Sequence, residues 1–111
     1  MKTKFKKYTI DFSNVNYYLE MHAVIRDSLG FPAFYGCNWD AFWDCLREIS
    51  GEPVHILIRG LEIIQDKKFG NEADIFIDIL KEFKHYENDK FANITIIEVE
   101  DTDTGKITSI L

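Results

Sequence analysis

No run of apolar residues here approaches the roughly 20 needed to cross a bilayer as a helix. The amino end, MKTKFKKYTIDF, is basic but no long apolar stretch follows it, so it does not read as a secretory signal. Basic residues are in deficit, 13 against 19 acidic ones, for a formal net charge of -6. A phosphate backbone requires a basic surface, so the charge balance argues against nucleic acid as the direct partner, whereas a basic protein is compatible. Cysteine is scarce, with two in 111 residues. Cys37 and Cys45 are separated by about 12 Å if most of the interval is helical, too far for a disulfide. Both read as free thiols, which places the chain in a reducing, cytoplasmic compartment. There is no C-x-x-C pair and no His/Cys cluster, so no structural zinc site and no other cofactor is expected.

What remains is ordinary for a globular protein: 46% apolar and 29% charged residues in a length that fits one domain, residues 1–111. Residues 5–12 alternate as a strand anchored by Phe5, Tyr8 and Ile10, and lysines 2, 4, 6 and 7 suit a protected sheet edge. Residues 13–16 offer helix caps, and Tyr18, Met21, Ile25 and Leu29 form the stripe of a helix that Gly30 and Pro32 end. His22 reads as a surface or boundary residue of that helix. Asn38 caps a second helix running to about residue 50. VHILI, residues 54–58, reads as a buried strand between Pro53 and Gly60. Residues 61–68 form a short helix. Asn71 caps a longer one ending near Tyr86, with Ala73, Phe76, Ile79, Leu80 and Phe83 inward. Residues 91–99 read as a strand, 101–106 as a turn using Gly105, and 107–111 as a short antiparallel strand. The acidic segment 98–104 reads as a solvated turn, and His55 and His85 as structural histidines. Strands separated by helices predict an α/β fold with a mainly parallel sheet and right-handed crossovers.

The densest segment is residues 34–45, FYGCNWDAFWDC. At about 100° per residue, Phe42, Leu46 and Ile49 face the core, with Trp39 on the flank of that stripe. Asp40, Trp43, Asp44 and Arg47 share the opposite face. Asp40 gains from the helix dipole in the first turn, which does not explain Asp44. Arg47 can pair with Asp44 at the i,i+3 spacing. A tryptophan bracketed by carboxylates has the composition of an interface hot spot. Asp40, Asp44 and Glu48 also spell D-x-x-x-D-x-x-x-E, a possible magnesium ladder, but no second acidic helix repeats it.

The stretch LGFPAFYGCNWDAFWDCL, residues 29–46, resembles barstar, the intracellular inhibitor of a secreted bacterial ribonuclease. The shared pattern is P-x-aromatic-Y-G-x-N-x-D-A-x-W-D-C-L. The order of elements over residues 5–97 is similar as well. The resemblance implies an α/β fold around a three-stranded parallel sheet, with residues 98–111 as an extension. It implies a non-enzymatic, monomeric inhibitor that meets a small basic ribonuclease one to one. Asp44 would be the central phosphate mimic and Asp40 a second charge contact. Phe34, Tyr35 and Trp43 would supply apolar and stacking contact. Asn38 would cap the helix and face the partner, Gly36 would allow close approach, and Glu82 would be an outlying acidic contact. Trp39 and Arg47 complete the expected contact set. A barstar aspartate is itself a standard illustration of a binding hot spot, so the weight on Asp44 is inherited from the resemblance. Phe34 stands where the family usually has tyrosine, and Arg47 adds a cation to the face. An immunity or binding protein for another basic toxin is the alternative reading.

Overall fold

A computed structural model of the chain describes residues 5–49, 51–91 and 95–110, without the side chains of residues 88–91. Four strands and four helices follow in the order β1 (Lys6–Asp11), α1 (Tyr18–Leu29), α2 (Trp39–Glu48), β2 (Val54–Arg59), α3 (Leu61–Gln65), α4 (Gly70–Phe91), β3 (Thr95–Glu100) and β4 (Ile107–Ser109). The sheet order is β1-β2-β3-β4. β1, β2 and β3 are parallel, and β4 returns antiparallel to β3. The predicted α/β class, parallel sheet and antiparallel return are therefore present. Lys2, Lys4 and Leu111 lie outside the described residues, as do the expected end of α2 at residue 50 and residues 92–94 of the expected strand.

Parallel strands laid down in one direction by crossovers of one hand put every helix on the same face of the sheet. The burial pattern agrees. Ile10, Val54, Ile56, Ile58 and Ile97 are buried on the helix side, whereas His55, Leu57 and Arg59 alternate with them and are less covered. Phe12, Phe42, Phe76, Phe83, Met21, Ile25, Leu46 and Leu80 fill the space between sheet and helices. α2 lies on α4 through Phe42 and Phe76, whose ring centroids are 5.4 Å apart.

Several boundaries differ from the sequence expectation. α1 starts at Tyr18 with no side-chain cap; instead the Glu20 carboxylate reaches back to the Asn16 N–H at 3.0 Å. α4 begins at Gly70, so Asn71 is already helical and does not cap it, and the helix runs on to Phe91. Phe91 therefore belongs to α4 and not to β3. A helix does not stop where its apolar stripe thins, because backbone hydrogen bonds propagate through polar residues such as those at 87–90.

The acidic segment after residue 98 is only partly a turn. Glu98 and Glu100 lie in β3, and each is paired with a base on β2. Glu98 Oε1 is 2.6 Å from His55 Nε2, which makes His55 the satisfied structural histidine expected. Glu100 Oε2 is 2.5 Å from Arg59 Nε, and Asp11 Oδ2 is 3.7 Å from Arg59 on its other side. Glu62 of α3 accepts hydrogen bonds from the backbone and hydroxyl of Thr102, fastening the turn before β4 to the helix layer.

Candidate functional site: the capped helix α2 and its leading loop

Residues 31–38 carry the chain from α1 into α2. Gly30 closes α1 with a left-handed φ of 70°, and its N–H bonds to the Arg26 carbonyl. Asn38 then caps α2 as expected: its backbone is extended, and its side-chain oxygen accepts from the Ala41 N–H at 2.8 Å. The same amide donates to the Gly36 carbonyl at 3.1 Å, which closes the loop on itself. A Cβ on Gly36 would stand 3.1 Å from the Asn38 Nδ2, so the glycine makes room for the cap. Between them Cys37 holds a φ of 50°, a left-handed backbone that few residues other than glycine adopt. Strain of this kind persists only where surrounding contacts over-determine the loop.

Those contacts come from below, through a residue that sequence reasoning placed wrongly. His22 is fully buried, not at the surface or boundary. Its Nδ1 is 2.7 Å from the Tyr35 hydroxyl and its Nε2 is 2.9 Å from the Tyr18 hydroxyl. The Trp39 ring lies against it with centroids 4.5 Å apart, and the Trp39 N–H donates to Glu72 at the start of α4. Burial pushes the imidazole pKa below its ordinary value, with the nearby Glu72 charge opposing, so the ring favours the neutral form. Burial also holds the Tyr35 hydroxyl protonated. The signal was available: Tyr18, His22, Ile25 and Leu29 follow spacings of four, three and four, which is the inward stripe of α1.

The outward residues divide into two groups. Tyr35 is buried at 6% exposure, and Trp39 is half-buried against the core. Trp43 is also half-buried, a correction to its outward helical phase: α4 extends beneath it, and the Tyr86 ring meets it edge-on at 5.9 Å. Glu82 is exposed one turn before Tyr86, on the same face of α4. In the second group, Phe34 is 87% exposed, and Asp40, Asp44 and Arg47 are exposed along α2. Among the described residues neither the Asp40 nor the Asp44 carboxylate has a hydrogen-bond or ion-pair partner. Asp40 lies in the first turn, where the helix dipole favours an anion. Among the described residues, no three His, Cys, Asp or Glu side chains converge to hold a metal ion, Asp40, Asp44 and Glu48 included. Cys37 and Cys45 are free thiols. No helix of the described residues is long and apolar enough to cross a membrane.

Fold and site together describe an α/β protein that presents open carboxylates and an exposed aromatic ring from one rigidly capped helix and its loop. The family model described as barstar (barnase inhibitor) matches residues 5–98, and the chain belongs to the barstar family. A Bacillus subtilis (strain 168) protein named "Putative ribonuclease inhibitor YrdF" is 31% identical to it over 81 residues, covering 73% of this chain and 85% of that protein. The family match ends inside β3, so the following turn and β4 lie beyond it.

Proposed function

We propose that this chain is a cytoplasmic, non-enzymatic inhibitor of a small basic ribonuclease, and that it blocks the enzyme's cleft with α2 and the loop before it. The observation that carries the reading is the pair of exposed carboxylates of Asp40 and Asp44, without a partner among the described residues, on a helix fixed from beneath. A ribonuclease cleft is basic because it holds RNA phosphates. Carboxylates held at a fixed spacing can take those phosphate positions and pair with arginine, lysine or histidine. Phe34 and the exposed part of Trp43 add apolar contact beside the charges, and Glu82 adds an outlying one. Tyr35, Asn38, Gly36 and Trp39 act mainly by holding this surface in shape. The family membership and the name of the relative support the same reading.

The test is to titrate the purified chain into a panel of small basic microbial ribonucleases while RNA cleavage is followed, with and without a metal chelator. Stoichiometric loss of cleavage at one-to-one, indifferent to the chelator, is expected. If no member of the panel is inhibited at ~1 μM, a concentration that detects binding of about -8 kcal/mol, the proposal is wrong.

A further inference from the structure

The side of α2 away from α4 forms a concavity of about 470 Å³ with the loop after α1. Phe31, Pro32, Phe34 and Ile49 give it apolar walls, and Asp44 and Glu48 stand on its rim. Those two carboxylates are four apart on α2 and so share one helix face. Among the described residues that line it there is no lysine, arginine or histidine. Phe34, 87% exposed, offers a ring face that the fold itself does not use.

We propose that this niche receives one arginine side chain of the partner, with Glu48 as a determinant of that choice. The proposal deepens the inhibitor reading, and rests on its premise that the face meets a basic protein. An arginine has two parts, and the niche suits both. The methylene stem takes the apolar walls, as such stems commonly do while the charged head stays at a polar rim. The guanidinium then reaches two carboxylates at once and can lie over the Phe34 ring. Arginine is favoured at such sites because it is planar and weakly hydrated, and forks toward carboxylates. An apolar side chain would fill the walls and leave both acids uncompensated. An acidic one would be repelled. Glu48 therefore adds a requirement for a cation on the side of Asp44 remote from Asp40, which narrows the partners this chain accepts.

The experiment uses the chain alone. Its backbone NMR signals are followed while N-acetylarginine methylamide is added, and again with the neutral N-acetylnorleucine methylamide, which has a similar stem. Saturable shifts at Phe34, Asp44 and Glu48 are expected, with the cationic probe bound at least about 3-fold more tightly, the scale of a partly exposed charge contact. Glu48→Gln should remove most of that preference, and Phe34→Ala should weaken the cationic probe by a similar factor. Equal affinity for the two probes, an unchanged preference in Glu48→Gln, or no saturable shift at ~100 mM probe overturns the proposal. Because no nuclease is present, this result and the inhibition assay can fail independently.

Discussion

Two surfaces of this protein are rich in charge, and they handle it in opposite ways. On the helix-free face of the sheet, Arg59 stands between Asp11 and Glu100, and His55 meets Glu98. Every one of these acids finds a base on the neighbouring strand. On α2, Asp40 and Asp44 find none among the described residues. Cross-strand register explains the first arrangement: Asp11, Arg59 and Glu100 are direct neighbours across three strands, so acid and base alternate over the open face. The sheet satisfies its own charges, and the helix leaves its charges to be satisfied from outside. Net negative charge alone does not distinguish these surfaces; pairing does.

The sharpest way to break that contrast is at Asp44. If it meets a partner cation in a desolvated contact, Asp44→Ala leaves that cation unpaired and weakens ribonuclease binding by about 2–5 kcal/mol. Calorimetry or inhibition titration against a ribonuclease that the chain inhibits in the panel measures it, and denaturant unfolding should show almost no change, because the side chain is exposed. A loss of stability with unchanged affinity would reverse the roles assigned to the two surfaces.

A smaller effect is expected at the support beneath the loop. His22→Ala takes a partner from the buried Tyr35 hydroxyl and should cost about 1–3 kcal/mol of stability. The wild-type ring also makes stability depend on pH. Its folded-state pKa lies below the ordinary 6.5, chiefly through burial. Above that ordinary value neither state holds the proton, and the folded protein has its full stability. As pH falls below it, the unfolded chain takes up the proton first, so stability declines until the folded ring is protonated too. Urea melts at neutral and mildly acidic pH should show this decline in the wild type and a flatter profile in His22→Gln. A flat wild-type profile would mean that His22 is not held neutral. Asp11 and Glu62 have carboxyl pKa values lowered mainly by hydrogen bonds from Ser13 and Thr102, so they act in a more acidic window and do not mimic it.

The same contrast marks what could be read from the chain. The α/β order, the inward stripes of α1 and α4, the Asn38 cap and the exposure of Asp40 and Asp44 follow from periodicity and side-chain chemistry, which are local. His22, Trp43 and Glu98 were misread because their surroundings come from elsewhere in the chain. His22 needs Tyr35 thirteen residues away, Trp43 needs α4 to pack against α2 and bring Tyr86 to it, and Glu98 needs the β2–β3 register to bring His55 to it. Glu87 is a further case: a buried carboxylate on α4 accepts from the Gly51 N–H, a contact no local pattern announces.

The smallest effect is predicted where charge is most conspicuous on the sheet. Arg59 has two acidic neighbours, yet its side chain is 44% exposed, and those of Asp11 and Glu100 are 45% and 23% exposed. Water screens such pairs, and holding long side chains in one geometry offsets part of the attraction, so Arg59→Ala should cost only about 0–1 kcal/mol. The Asp11 carboxyl should titrate nearly as before, because the Ser13 hydroxyl does more than Arg59 to hold it low. Ribonuclease affinity should not change. Urea unfolding and the inhibition titration, run side by side on Arg59→Ala and Asp44→Ala, give the comparison directly. If Arg59→Ala were the variant that lost inhibition, the self-paired face would be the contact surface, and unpartnered carboxylates would be the wrong guide to where this protein binds.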